Sequence, residues 1–454
     1  AGQTLSVNVS DNSILTRPVD DDMKRTFVGG RGFDLWLLWN AVAEDTKWDS
    51  PENEVVIAAG PIGGITQYPG TGKSIAASIS PLTGSVVDSN VGGYFGPLLK
   101  FAGFDAIEVQ GIAERDVIVF VDGNEGLVQI IEAPQESVNS HLIAEEIAAV
   151  YGKTPNERQG VTSVSSGAGA EHTLMGCLNF SFYDLRRQVA RLKQAGRGGI
   201  GTVLRSKRVK ALVVKYVGLK GDSNHPADLD QIQSTGAKMH REIYDRDEIM
   251  FQMRKDGTNH LTKIMNDYDI LPVHNFRYGA HPDAEKIYSP EFTNFFDYAA
   301  PDGCWYGCTL ACAKFATGLE LRSGPYKGQT VTVDGPEYET VAGIGSNCGI
   351  WDAQAVLEAN FYCDTYGIDT ISFGTALAFA MECYEEGILN KEITGGLELN
   401  FGNSDAMLEV LHQMGRGEGF GAIMGLGIRR LKNLLAEEHG ADPEFLQDIG
   451  MECK

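Results

Sequence analysis

No apolar run in this 454-residue sequence reaches the roughly 18–20 residues that a membrane span needs. The opening residues, AGQTLSVNVSDNS, have neither the basic nor the apolar stretch of a secretory leader. Cysteine is sparse, at 8 residues, which excludes a disulfide scaffold for a chain of this size. A reducing, cytoplasmic location is expected, with thiols available for metal. Proline, at 16, is too rare for a disordered Pro/Gly linker composition. Positive charge is short as well: 38 Lys and Arg against 61 Asp and Glu give a net charge of −23, so nonspecific nucleic-acid binding is not expected. What the chain does have is glycine, 54 residues, within a composition that is 43% hydrophobic and can bury large cores. Folded proteins place such glycine where backbone turns tightly or approaches a ligand closely.

The first 218 residues read mainly as short strands joined by glycine turns, as in TLSVNVS, NEVVIAAG, SIAASIS, FDAIEVQGIA, DVIVFVDG and VKALVVKYV. Helices are expected at 34–42 and 140–151. The spacing suits a β-rich α+β domain better than regular strand–helix alternation. Beyond GLKGDSNHPADL the pattern changes. An amphipathic helix is expected over 228–246, then a loop-rich aromatic stretch, then helices over 352–366, 370–386, 405–415 and 422–438. Boundaries are expected near 218 and 425. They give a β-rich domain (1–218), a helical domain with a cysteine motif (219–425) and the start of a further helical domain (426–454).

The sharpest local signal is Cys304-Trp-Tyr-Gly-Cys308-Thr-Leu-Ala-Cys312. Thiolates are soft ligands, and closely spaced cysteines converge on one iron–sulfur cluster with little loop entropy. Zinc usually takes paired C-x2-C units, and none is present. The competing reading is three buried thiols on one helix face, since positions four apart nearly align. Cys348, Cys363 and Cys453 are candidates for a fourth ligand.

Two familiar glycine motifs fail. Gly70-Thr-Gly72-Lys73-Ser74 lacks the earlier glycine of a phosphate loop, that position being Gln67. Gly196-Arg197-Gly198-Gly199-Ile200-Gly201 fits a dinucleotide fingerprint literally, but it follows polar RLKQA and is expected to lead into a strand. Both still place backbone N–H groups beside a cation, and Asn90-Val91-Gly92-Gly93 adds a third such turn. Three in one β-rich domain point to an anionic, phosphate-bearing ligand.

At this point the segments resemble a known family. Residues 80–111, SPLTGSVVDSNVGGYFGPLLKFAGFDAIEVQG, are similar to the signature of the tungsten-containing aldehyde ferredoxin oxidoreductases. So are FVGGRG (27–32), SPENEVVIAAGPIGG (50–64), AGRGGIG (195–201), GPEYE (335–339) and CDTYGIDTIS (363–372). The order and spacing agree over essentially the whole chain.

The resemblance implies an α+β protein whose saddle-like, β-rich N-terminal domain binds two pyranopterins, with helical domains covering them. It implies one tungsten or molybdenum on the pterin dithiolenes and Mg2+ bridging the pterin phosphates. It also implies a [4Fe–4S] cluster on Cys304, Cys308 and Cys312. Asn90 and Gly92 match positions near the pterin phosphates, and Gly196 and Arg197 match a second phosphate-side loop. Lys73 and Lys193 stand where the family usually has arginine. Asp364, Ile368 and Asp369 match the pterin motif D-x-x-G-L-D, with Ile for Leu. Glu339, with Glu337 as the neighbouring alternative, matches a carboxylate near the metal and is the expected general acid/base.

The implied reaction is oxidation of a small aldehyde to an acid. Electrons would leave through the cluster to ferredoxin or to an iron–sulfur partner subunit, and an oligomer is expected. Reduction of another substrate, such as an acyl-CoA or carboxylate, is the rival within the fold; a non-catalytic electron-transfer or scaffold subunit is the rival outside it. Three departures stand out. Family spacing is C-x2-C-x3-C, so Cys304 is shifted by one residue. Family chains run on well past Lys454, into a region with a second pterin aspartate motif, a catalytic histidine and the fourth cluster cysteine; this sequence is therefore expected to be a fragment or to have a partner supply the rest. A helical E-x-x-H pair of some family members becomes Glu358-Ala-Asn-Phe361, and no iron is assigned there.

Overall fold

The computed structural model describes residues 2–133, 138–218, 224–298 and 302–452. The chain forms two compact units. The first comprises residues 1–171, 176–245 and 303–310; the second comprises 172–175, 246–302 and 311–454.

In the first unit, short strands rich in apolar residues build two six-stranded sheets. One contains β1 (Gln3–Asn8), β2 (Ser13–Pro18), β3 (Val55–Ala59), β4 (Ser74–Ile79), β5 (Val86–Val91) and β6 (Phe104–Gln110), in the order β2-β1-β6-β3-β4-β5. The other contains β7 (Val117–Asp122), β8 (Leu127–Glu132), β9 (Val161–Ser165), β10 (Leu178–Asp184), β11 (Val189–Ala195) and β12 (Val209–Lys215), in the order β11-β10-β9-β12-β7-β8. A single core joins their inner faces: Leu5, Val7, Ile57, Ile107 and Val109 from the first, Val119, Val164, Phe180, Leu212 and Val214 from the second. The outer face of the first sheet is covered by α1 (Asp21–Thr26) and α2 (Arg31–Ala41), through Met23 and Phe33. Helix α3 (Phe95–Phe101) packs against strands of both sheets, and α4 (Ser140–Tyr151) covers the outer face of the second.

The glycine run at 196–201 corrects one expectation. It follows a strand, β11, and leads through a short 3-10 turn into a helix, Ile200–Ser206, rather than into a strand. A dinucleotide fingerprint joins parallel strands through its helix. Here β11 and β9 each pair antiparallel with β10, and β12 pairs antiparallel with β9, so β11 and β12 run in opposite directions. The topology therefore differs from that unit even though the local order does not.

The second unit is mainly helical, with one two-stranded sheet, β13 (Phe315–Glu320) and β14 (Thr330–Asp334). Helix Ala353–Tyr366 starts where Asp352 accepts hydrogen bonds from the N–H groups of Gln354 and Ala355, and stops at Gly367 with φ of 68°. The single helix expected over 422–438 is two, Gly419–Met424 and Ile428–His439. The break falls at Gly425-Leu426-Gly427, where Gly427 has φ of 89°, outside any right-handed helix. Among the described residues no helix is long and apolar enough to cross a membrane.

Candidate cofactor site

The antiparallel pair β4 and β5 sets Ser74 opposite Val91 and Ile75 opposite Asn90. The loop entering β4, with Gly72 and Lys73, therefore lies beside the loop leaving β5, with Gly92. Lys73 and Asn90 are exposed, while Gly72 and Gly92 are buried. The third glycine loop joins them: the Arg197 N–H donates to Ser89 Oγ at 3.2 Å, and a Cβ on Gly198, whose φ is 82°, would stand 2.5 Å from Val87 Cγ2. Val87 and Ser89 belong to β5, so Asn90, Gly92, Gly196 and Arg197 gather around one strand. Lys193 reaches the same region from β11.

The segment 303–310 packs into this place. The segment is a run of turns with Gly307 at φ of 72°, and Ala311 follows at φ of 46°. This rules out one helix face as the reason for the cysteine spacing. A Cβ on Gly72 would meet Trp305 Cβ at 2.5 Å and the Cys304 carbonyl oxygen at 2.8 Å; one on Gly92 would meet Cys304 Cβ at 2.5 Å. Both positions need glycine because the cysteine segment occupies the space a side chain would fill. Trp305 anchors the segment. It is 3% exposed, and the Tyr94 ring meets it edge-on at 4.7 Å while stacking on Phe182 at 4.9 Å. Its buried Nε1 makes no hydrogen bond among the described residues. Helix Leu229–Arg246 adds a further hold, with His240 Nδ1 3.0 Å from Thr309 Oγ1. Trp305 and Ser89 escaped the sequence reading; an aromatic residue between two candidate ligands was the available signal for the first.

Burial pushes the Cys304 thiol above its ordinary value. Lys73 pulls it back, Cys308 adds to the rise and Lys193 pulls it down again. The two lysines expected at phosphates thus also place positive charge near the first cysteine. Cys312 lies in the second unit, bridged to Asp302. Cys348 and Cys363 are completely buried, and Cys348 Sγ lies 3.4 Å from the carbonyl oxygens of both Gly343 and Gly374. Cys453 lies outside the described residues. Among those residues no three His, Cys, Asp or Glu side chains meet closely enough to hold a single ion. A four-iron cluster is much wider than one ion and needs thiols set farther apart.

The second unit holds a separate group. Gly335 lies against Asn360, whose side-chain amide donates to Asp364 Oδ2 at 3.0 Å, so GPEYE and the first aspartate of the 364–369 motif are neighbours. Asp364 is buried. Ile368 is buried, with its N–H bonded to the Cys363 carbonyl at 2.8 Å. Asp369 caps its own helix, Thr370–Glu385, accepting from the N–H groups of Ile371 and Ser372 and from the Ser372 hydroxyl. Glu337 is half-buried and accepts a hydrogen bond from the Thr258 hydroxyl, whereas Glu339 is exposed. Glu358 is fully buried and accepts from the N–H groups of Arg322 and Ser323 and from the Ser323 hydroxyl, so the chain itself satisfies that carboxylate.

These residues fit a phosphate-bearing group. Backbone without a side chain at Gly196 permits close approach, and Lys73, Lys193 and Arg197 supply cations beside it. The family described as aldehyde ferredoxin oxidoreductase, N-terminal domain, matches residues 4–216, and that described as aldehyde ferredoxin oxidoreductase, domains 2 and 3, matches residues 234–454. The chain belongs to the aldehyde ferredoxin oxidoreductase family, a family of oxidoreductase enzymes. It is 31% identical to the tungsten-containing aldehyde ferredoxin oxidoreductase of Pyrococcus furiosus, over 99% of this chain and 68% of that protein. It is 28% identical to the aliphatic sulfonate oxidoreductase, WOR-like subunit, of the same organism, over 97% of this chain and 68% of that one. The active site complex BamBC of benzoyl coenzyme A reductase has the same fold, with a TM-score of 0.76 at 22% identity over 98% of this chain and 64% of that chain. The chain thus spans about two thirds of the length of such relatives.

Proposed function

We propose that this chain is the pterin- and cluster-holding part of a tungsten or molybdenum oxidoreductase that converts a small aldehyde to its acid. One observation carries the reading: the cysteine segment is seated on the glycine loops of Gly72 and Gly92, so the expected cluster ligand and the expected phosphate cradle occupy one place in the first unit. Lys73, Lys193 and Arg197, together with Mg2+, would neutralise the phosphates of a bis-pyranopterin, with Asn90, Gly92 and Gly196 lining the approach. Asp364 would accept paired N–H bonds from a pterin edge, a selective contact for a carboxylate. Ile368 and Asp369 then support that motif, Asp369 through its helix cap. Cys304, Cys308 and Cys312 would hold the [4Fe–4S] cluster as thiolates. The metal centre, when bound, supplies the two-electron redox chemistry and the cluster a single-electron exit.

Glu337 and Glu339 are the carboxylates that would hold or move a proton at the reacting substrate, Glu337 from a position fixed by Thr258. Ferredoxin or an iron–sulfur subunit is the proposed electron acceptor, and oligomeric assembly belongs to the same reading. So does a reducing cytoplasm, which would keep thiols available for the cluster.

The substrate is the part on which relatives differ, one being named for a sulfonate and a fold neighbour for benzoyl-CoA. Reduction of an acyl-CoA or carboxylate is therefore the second reading. The test is elemental analysis of the purified protein, followed by aldehyde-dependent dye reduction. One tungsten or molybdenum with about four irons per chain and aldehyde-dependent turnover are expected. Iron alone would leave an electron-transfer subunit, and metal without aldehyde turnover would favour the second reading.

A further inference from the structure

The outer face of the first sheet breaks its own pattern. Where α2 crosses β3 and β6, that face is apolar, with Phe33, Ala58 and Ala106 in contact. Farther along, the same face presents Thr4 and Ser6 from β1, Glu108 and Gln110 from β6, and Glu54 just before β3. Above them lie Met23 of α1 and Trp36 and Leu37 of α2. A cavity of about 500 Å3 is left between floor and roof.

Two features of that floor need explaining. Glu54 and Glu108 are each only 3% exposed, and the Oε2 atom of each makes no hydrogen bond among the described residues. A buried carboxylate oxygen without a partner is costly. The pairing of Val55 with Val109 and Val56 with Glu108 sets Glu54 diagonally beside Glu108, so their charges repel. Lys207 and Arg17 ease the repulsion at Glu54, and Arg17 does so at Glu108, but Lys207 Nζ donates to the carbonyl oxygens of Ser50 and Gly111, and neither Oε2 accepts a hydrogen bond from them.

We propose that this cavity is a binding site for a small primary amine, whose ammonium lies between Glu54 and Glu108 and whose aliphatic body lies against Trp36 and Leu37. An ammonium carries three donors, enough for the two carboxylates and one floor hydroxyl or amide. The opposite wall is an indole and aliphatic side chains, which suit a methylene chain. The volume falls in the range of small-molecule sites and far exceeds the space of one ion. A bare divalent cation would want about six to eight close oxygens, and among the described residues no third acidic or imidazole side chain stands close enough to the two carboxylates to help provide them.

The test is calorimetric titration of the whole chain with n-butylammonium chloride, with n-butanol as the uncharged analogue and magnesium and calcium chloride as rival cations. Saturable binding of the amine alone is expected. A Glu54→Gln, Glu108→Gln double variant should bind at least about tenfold more weakly. Trp36→Leu, on the other wall, should weaken binding several-fold and keeps the test decisive should the double variant not fold. Absence of amine binding, equal binding of butanol, binding of a divalent ion in place of the amine, or unchanged affinity in the variants would each overturn the assignment.

Discussion

Gly92 lies so close to Cys304 that a Cβ at residue 92 would stand 2.5 Å from the cysteine's own Cβ. Gly92→Ala should therefore push the cysteine segment out of place. A stability loss of about 1–3 kcal/mol is expected from such overpacking, together with reduced iron per chain in the purified protein. Gly72→Ala, which meets Trp305 and the Cys304 carbonyl, should behave alike. A Gly92→Ala protein with full iron content and an unchanged melting temperature would separate the glycine loops from the cluster.

Asp364 and Asp369 lie in one short motif but have different local roles, and substitution should divide them. Asp369→Ala removes a helix cap with three donors and should cost about 1 kcal/mol whether or not a cofactor is bound. Asp364→Asn should leave the melting temperature of cofactor-free protein nearly unchanged but lower tungsten or molybdenum retention. Equal effects of the two on metal content would show that the cap is not the main role of Asp369.

Lys73 is exposed beside a buried glycine and close to Cys304. Lys73→Ala should reduce the organic phosphate and metal that copurify with the chain, and Lys73→Arg should retain them, because guanidinium also binds phosphate. If phosphate content is the same in Lys73→Ala as in the parent protein, Lys73 is not a phosphate contact.

Glu54 is pushed up from 4.5 to about 8, by burial first and by Glu108 second, while burial brings Lys207 down from 10.5 to about 8. The folded chain holds the Glu54 proton more tightly than the unfolded chain does. Its contribution to stability is therefore complete below about pH 4.5 and is lost as pH rises through about 8. Lys207 has the opposite sign: its contribution is complete above about pH 10.5 and is lost as pH falls through about 8. Calorimetric melting should show Glu54→Gln stabilising the chain more at about pH 8 than at about pH 5, where the native carboxyl is already protonated. An equal shift at both pH values would remove Glu54 from the pH dependence.

Much of this protein is written locally. Alternating residues mark β1, short apolar runs mark β3 and β12, and Asp352 with Gly367 brackets a helix because a cap and a left-handed stop act within a few residues. The glycine loops, the cysteine spacing and the family resemblance are linear patterns too. Even locally the reading has limits. RLKQA looks polar, yet it is most of β11, whose cross-strand partners on β10 decide its state. The 422–438 periodicity hid a break that Gly425 and Gly427 impose.

What only the tertiary structure decides are the meetings of distant residues. Cys304 sits on Gly72 and Gly92, more than two hundred residues earlier in the chain, and Trp305 is an anchor because Tyr94 and Phe182 are there to receive it. Glu54 and Glu108 look like ordinary surface acids in sequence. They become a buried pair, each with one oxygen that accepts no hydrogen bond among the described residues, only when neighbouring strands bring them together and α1 and α2 close over them. Capping and alternation act over a few residues of continuous chain, whereas desolvation and charge repulsion depend on which segments fold across one another.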